Sequence, residues 1–195
     1  MALPALDGSW RAAIWPAMRI FWLFLVLFAA PAAANDWHAL NQPGAIAIMR
    51  HALAPGTGDP AELRLEDCAT QRNLDARGRA QARAIGRAFR ERGIAFDGIH
   101  TSQWCRTRET AELLGLGPVQ DLPSLNSFFQ RRGRAERQTD ETRAFLNTAE
   151  GRLMLVTHQV NISALTGVGT RSGEVLVIRA GDDGIETLGR ILIAP

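Results

Sequence analysis

Short apolar runs alternate with segments of helical periodicity through most of this chain, and the alternation restricts the fold more than any other feature. We predict strands over residues 45–49, 96–101, 119–122, 152–157, 174–179 and 186–193. Between them we predict helices over residues 75–92, 106–114, 139–149 and 161–165. This order favours an α/β three-layer sandwich, with a mainly parallel central sheet flanked by helices and an antiparallel hairpin at one edge.

The first 34 residues differ in character from the rest. Two arginines precede an apolar run over residues 20–30, and Ala32–Ala34 has the form of an A-x-A cleavage site. The pattern predicts a secretory signal peptide cleaved after Ala34, which leaves a single domain over residues 35–195 in the periplasm or outside the cell. The run is shorter than the ~20 residues of a membrane span, so we expect no stable membrane insertion after cleavage. An uncleaved N-terminal anchor is the alternative.

The chain contains two cysteines, Cys68 and Cys105. Export would place them in a compartment that permits disulfides. We therefore predict a bridge between them, which requires Cα atoms within about 7 Å of each other. The alternative is two separate buried thiols.

The composition bears on possible partners. The formal charge is +2 and all 22 basic residues are arginines, but these are spread along helices without a basic block, so we expect no nucleic-acid partner. The four histidines do not form a cluster with metal-ligand spacing, so no metal and no cofactor are expected.

Cationic side chains follow three of the predicted strands. Arg50 and His51 end the first strand, Arg106 comes shortly after the second, and His158 directly follows the strand at 152–157. In α/β sheets ligands bind beyond the carboxyl ends of the strands, so these groups are expected at one edge. Phosphate fits them, because arginine binds its oxygens bidentately and a neutral histidine can attack phosphorus.

Three motifs in this order resemble the histidine phosphatase superfamily, also called phosphoglycerate-mutase-like, in its branch 1 form. They are MRHA after the first strand, SQWCRTRETAELL after the second and LVTHQ after a later one. The second motif matches the family pattern S-x-x-x-R-x-x-x-T-A at Ser102, Arg106, Thr110 and Ala111. The segment before the first long helix also matches, at Asn73-Leu74, Gly78 and Gln81-Ala82.

The resemblance implies a metal-independent phosphoric monoester hydrolase acting on a small-molecule phosphomonoester. His51 would be the nucleophile that forms a phosphohistidine. Arg50, Arg106 and His158 would hold the phosphate and stabilise charge during transfer. Further substrate-binding residues implied in this way are Thr57, Ser102, Asn126 and Gln159.

The chain departs from the family pattern at three positions. Ala52 and Gln159 replace the glycines that follow the two histidines, and Asn126 stands where many members carry an acidic proton donor. Asparagine cannot donate a proton at neutral pH. Either another acid serves, for which the candidates are Glu66, Asp67 and Glu109, or the leaving group needs none. The competing interpretation is an exported phosphate- or phosphosugar-binding protein with weak or no catalysis.

Overall fold

A computed structural model describes residues 35–181 and 184–195, and it contains a six-stranded sheet. The strands are β1 Ile46–Arg50, β2 Gly98–Thr101, β3 Val119–Asp121, β4 Leu153–Thr157, β5 Val175–Gly181 and β6 Gly184–Ile191. The helices are α1 Ala76–Glu91, α2 Cys105–Leu114, α3 Ala135–Thr148 and α4 Gln159–Thr166. Short 3-10 helices lie at Trp37–Asn41, Cys68–Thr70, Pro123–Leu125 and Arg132–Arg134. The predicted signal peptide at residues 1–34 lies outside the described residues.

The sheet is mostly parallel, as predicted. Its strand order is β3-β2-β4-β1-β5-β6, in which β3, β2, β4 and β1 pair in parallel and β5 and β6 are antiparallel. Arg50 lies opposite Thr157, and Thr101 lies opposite Val156. The residues that follow β1, β2 and β4 therefore emerge at the same edge of the sheet.

Helices cover both faces of the sheet and complete three layers. Met49 and Val156 on one face pack in a core cluster with Phe89 of α1. Ile48 on the other face packs in a second cluster with Ile162 of α4. Burial of each large apolar side chain contributes about 1.5–3 kcal/mol. Among the described residues, no helix combines the length and the apolar character needed to cross a bilayer.

The first helix packs closely against the loop that follows His51. A Cβ atom on Gly78 would lie 1.9 Å from the carbonyl oxygen of Leu53, so only glycine allows this approach. Gln81 Oε1 accepts a hydrogen bond from the Leu53 amide at 3.0 Å, and its Nε2 donates to the Ser172 carbonyl at 2.9 Å. These two family-matching residues thus fix the backbone beside the candidate nucleophile.

The predicted disulfide is confirmed. Cys68 and Cys105 are bonded, with their Cα atoms 5.7 Å apart. The bridge joins the long loop after β1 to the first residue of α2. The Cys105 amide also donates to Gln71 Oε1 at 3.0 Å, so the bridge and this hydrogen bond hold the same two segments together.

Candidate active site

His51 directly follows β1 and is 2% exposed. Its Nδ1 lies 2.7 Å from the Ala52 carbonyl oxygen, to which it donates. Its Nε2 accepts a hydrogen bond from Arg106 Nε at 3.2 Å. Both contacts are satisfied by the neutral Nδ1–H tautomer, in which Nε2 keeps its lone pair. The imidazole is therefore oriented with a nucleophilic nitrogen beside a guanidinium.

His158 follows β4 and is held by Ser102. Arg106 Nη2 donates to its Nδ1 at 3.3 Å, so its Nε2 carries the proton and donates to Ser102 Oγ at 2.8 Å. The rings of His51 and His158 are 5.6 Å apart, and the Trp104 ring packs against His158 at 5.5 Å. Ser102 lies behind His158 and fixes its orientation.

Burial keeps both histidines neutral. Desolvation, followed by the positive charge of Arg106, lowers the pKa of His51 well below its ordinary value of 6.5. The pKa of His158 is lowered well below this value by the same two causes in the same order. At neutral pH both rings are therefore uncharged, as a nucleophile must be.

Arg106 occupies the centre of the site and uses every N–H group it has. Besides its bonds to the two histidines, it forms a bidentate ion pair with Asp59, at 2.7 Å from Nη1 and 3.0 Å from Nη2. Nη1 also donates to the Arg72 carbonyl at 3.3 Å. The side chains of Arg106 and Asp59 are 3% and 5% exposed.

Asp59 and Arg72 are site residues that the sequence pattern did not identify. Asp59 also accepts from Trp104 Nε1 and from the Arg72 amide, each at 3.2 Å. The Arg72 side chain donates to the carbonyls of Gly58 and Ala54. Both residues lie in the long loop, where no periodicity marks a functional side chain, and the length of the loop was the one available signal.

These groups line a pocket of about 200 Å³. Of the predicted residues, it is lined by Arg50, His51, Thr57, Arg106, His158 and Gln159. Arg50 Nη1 donates to the Thr170 carbonyl at 3.2 Å, whereas its buried Nε has no hydrogen-bond partner among the described residues. Burial, and then the charge of Arg72, lower the pKa of Arg50. The pocket therefore combines three arginines with one carboxylate and offers an unused donor to an anion.

The predicted polar residues differ in their placement. Asn126 is not among the residues that line this pocket, because its side chain is bonded to Gln103. Its Oδ1 accepts from the Gln103 backbone amide and its Nδ2 donates to Gln103 Oε1, each at 2.8 Å. The Gln159 side chain reaches the pocket but accepts from the Thr170 amide at 3.0 Å. The amide group of each residue is thus already bonded to the protein.

The acids considered as proton donors also lie elsewhere. Asp67 pairs with Arg64, and Glu109 pairs with Arg79. Glu66 lines a neighbouring groove. Asp59 is the acid that lines the pocket, and both of its oxygens accept hydrogen bonds from N–H groups. It therefore acts as an acceptor that orients Arg106.

The described residues contain no group of three or more histidine, cysteine, aspartate or glutamate side chains that could hold a metal ion. The arrangement instead joins an oriented imidazole lone pair to a set of N–H donors. Such a site can attack an electrophilic centre that carries negatively charged oxygens.

Comparison with solved structures shows the same fold in several proteins, among them two that are described as phosphatases. The protein histidine phosphatase SixA, complexed with tungstate, is 15% identical with a TM-score of 0.54, over 75% of this chain and 96% of that one. An Escherichia coli K-12 protein, proposed to be an alpha-ribazole-5′-P phosphatase, is 17% identical with a TM-score of 0.59, over 78% and 98%. TTHB049 from Thermus thermophilus is 19% identical with a TM-score of 0.54, over 76% and 99%.

Of two sequence comparisons, one agrees with this likeness. No curated protein sequence matches the chain. The sequence model of the histidine phosphatase superfamily (branch 1) matches residues 46–129, which include Arg50, His51, Asp59 and Arg106. Over these residues the chain is similar to the histidine phosphatase superfamily, branch 1.

Proposed function

We propose that this protein is an exported phosphomonoester hydrolase that works through a phosphohistidine on His51. The observation that carries the proposal is the His51 Nε2 lone pair, held 3.2 Å from Arg106 Nε in a pocket with three arginines. The match of residues 46–129 to the histidine phosphatase superfamily model supports a phosphatase-type activity. The tungstate in the SixA structure supports it further, because tungstate is a tetrahedral oxyanion like phosphate.

The contact distances around Arg106 indicate where the phosphoryl group enters. Its bonds to His51 and His158 are long, at 3.2 and 3.3 Å, whereas those to Asp59 are 2.7 and 3.0 Å. A phosphoryl group between the two histidines takes over the Nε and Nη2 donors and leaves the Asp59 pair intact. Arg50 Nε supplies a further donor. Once the dianion is near, His158 takes up a proton from solvent at Nδ1, and this N–H donates a hydrogen bond to a phosphate oxygen.

The reaction then has two steps. His51 Nε2 attacks phosphorus in line with the ester bond, the N–P bond forms, and the P–O bond to the leaving group breaks. The arginines stabilise the charge on the equatorial oxygens, which is the main catalytic term in phosphoryl transfer. Water then attacks the phosphohistidine, releases inorganic phosphate and restores the neutral imidazole. Because Asn126 pairs with Gln103, we infer that turnover is fastest for leaving groups that need no proton from the protein.

The second candidate function is phosphate binding without turnover. The pairing of Asn126 with Gln103, at the position of the family acid, favours it. Hydrolysis of 4-nitrophenyl phosphate separates the two candidates, because its leaving group departs without a proton. We expect hydrolysis that EDTA leaves unchanged and that His51→Ala abolishes. Phosphate binding with no hydrolysis of this ester would favour the binding protein.

Export is the remaining part of the proposal, and it rests on the residue pattern of the N-terminus. A Cys68–Cys105 disulfide is compatible with an oxidising compartment. N-terminal sequencing of the protein from the periplasmic or secreted fraction should read Asn35-Asp36-Trp37. A start at Met1 in the membrane fraction would overturn the processing step.

A further inference from the structure

A second and larger groove of about 650 Å³ adjoins the catalytic pocket. Ser127 lines both cavities. Four arginines line the second one, Arg64, Arg131, Arg134 and Arg137, and we call it the arginine groove. None of these arginines takes part in the catalytic arrangement described above.

The charges in the arginine groove are not balanced. Arg64 pairs with Asp67, and Arg137 lies 3.9 Å from Glu141. Arg131 and Arg134 are exposed and form no ion pair with any described residue. Glu66 and Glu141 are the acids of the lining, against the four arginines. The groove therefore keeps an excess of positive charge.

The local structure adds to this positive charge. Arg131 and Arg134 lie at either end of the turn that leads into α3, and Arg137 is in the first turn of that helix. The N-terminus of a helix carries partial positive charge. Like charges that line one groove repel one another, so an anion bound among them would lower the electrostatic energy of the protein.

The segment of residues 127–130 lines both cavities and is hydrogen-bonded to the long loop after β1. Gln130 Nε2 donates to the Asp59 carbonyl at 2.9 Å, next to the carboxylate that holds Arg106. Phe129 lines the catalytic pocket and is 41% exposed. Because Ser127 lines both cavities, the arginine groove begins on the side of the catalytic pocket where Phe129 and Ser127 lie.

We propose that the arginine groove binds a second anionic group on the leaving-group side of the substrate. The inference rests on the proposed phosphatase function and names a substrate class for it. The preferred substrates are phosphomonoesters whose leaving group carries a second phosphate or a carboxylate. Arg131 and Arg134 recognise that group through charge-assisted hydrogen bonds.

Competition against 4-nitrophenyl phosphate hydrolysis tests the proposal. Glucose 6-phosphate and glucose 1,6-bisphosphate share one sugar and differ in the second phosphate. The inhibition constant of the bisphosphate should be lower by about tenfold, as expected for charge-assisted contacts, and added salt should narrow the difference. The double variant Arg131→Ser/Arg134→Ser should lose this preference and keep its rate on 4-nitrophenyl phosphate.

The matched control removes the same charge elsewhere. Arg83→Ser/Arg87→Ser changes two exposed arginines of α1 that lie outside both cavities, and it should keep the preference for the bisphosphate. Equal competition by the two sugars in the unmodified protein, or an unchanged preference in the Arg131/Arg134 variant, would overturn the groove proposal alone. Absence of 4-nitrophenyl phosphate hydrolysis would instead overturn the proposed function, and the groove proposal with it.

Discussion

At the scale of single residues, Arg106 connects the groups on which the proposed chemistry depends. One edge of its guanidinium meets two neutral histidines, and the other edge is held by Asp59. The S-x-x-x-R-x-x-x-T-A pattern identified Arg106 from the sequence. It could not identify Asp59, because an aspartate in a loop rich in glycine and proline has no periodic neighbours to mark it. The protein itself thus supplies, through Asp59, part of the negative charge that compensates the arginines of the pocket.

Removing Asp59 should damage both stability and function. Asp59→Ala leaves Arg106 as an uncompensated buried charge, and we expect the free energy of unfolding in urea to fall by about 3–5 kcal/mol. The kcat/KM for 4-nitrophenyl phosphate should fall as well, because Arg106 loses its orientation. Asp67→Ala is the control, since it breaks an exposed pair with Arg64 and should change little. Equal effects of the two substitutions would contradict the central position of the Asp59 pair.

The lowered pKa of His51 predicts a shifted pH profile. Protonation of His51 removes its Nε2 lone pair, so activity is lost as the pH falls through the pKa that His51 has in the folded protein. Because that pKa lies well below 6.5, kcat/KM should stay constant as the pH falls from neutral through 6.5 and decline in more acidic buffer. An acid limb at or above pH 6.5 in the unmodified protein would contradict this electrostatic description.

Arg72 supplies part of that pKa shift and allows a second measurement. Its charge is among the causes that lower the pKa of His51. Arg72→Gln should therefore move the acid limb of the kcat/KM profile toward higher pH. Arg79→Gln, in an ion pair with Glu109 that is outside the pocket lining, should leave the limb in place.

At the scale of helices and strands, hydrophobic periodicity predicted most of the elements. The first strand was expected over residues 45–49 and is Ile46–Arg50. The third helix was expected from Thr139 but begins at Ala135, because its first turn is polar and shows no apolar repeat. The order of strands in the sheet depends on contacts between distant segments, which periodicity does not encode. The placement of Asn126 against Gln103 depends on such contacts as well.

The close packing of α1 on the loop after His51 gives a prediction at this scale. Gly78→Ala would place a methyl group 1.9 Å from the Leu53 carbonyl oxygen. We expect a loss of about 1–3 kcal/mol in the free energy of unfolding, together with lower activity, because the displaced backbone lies two residues from His51. Gly133→Ala is the matched control, since a Cβ there meets nothing within 4 Å. Wild-type stability in Gly78→Ala would contradict the described packing.

At the scale of the whole molecule, the parallel strands and the disulfide together assemble the site. The parallel pairing of β1, β4 and β2 brings the residues after each strand to one edge. The bridge then ties the loop that carries Asp59 and Arg72 to the helix that carries Arg106. The edge and the bridge were both predicted from the sequence. The arginine groove beside them was not, because the sequence does not show that Arg64 and three arginines within residues 131–137 line one cavity next to the pocket.

Removing the bridge tests how far it supports the site. Cys68→Ser/Cys105→Ser should lower the free energy of unfolding by about 2–4 kcal/mol. The reason is that the two cysteines are 37 residues apart, and without the bridge the unfolded chain between them gains conformational entropy. The kcat/KM should fall with it, since the loop that carries Asp59 and Arg72 loses its covalent link to α2 and keeps only hydrogen bonds and ion pairs. Unchanged unfolding and activity would show that these contacts alone hold the loop.

The phosphohistidine on His51 is the central claim, and rapid quench tests it most directly. Protein mixed with 4-nitrophenyl phosphate radiolabelled on phosphorus should form a phosphoenzyme within the first turnover. The covalent bond should be acid-labile and alkali-stable, as a nitrogen–phosphorus bond is, and the labelled peptide should contain His51. His51→Ala should form no phosphoenzyme and release no phosphate. Full turnover in His51→Ala, or an alkali-labile label on Asp59, would contradict the account.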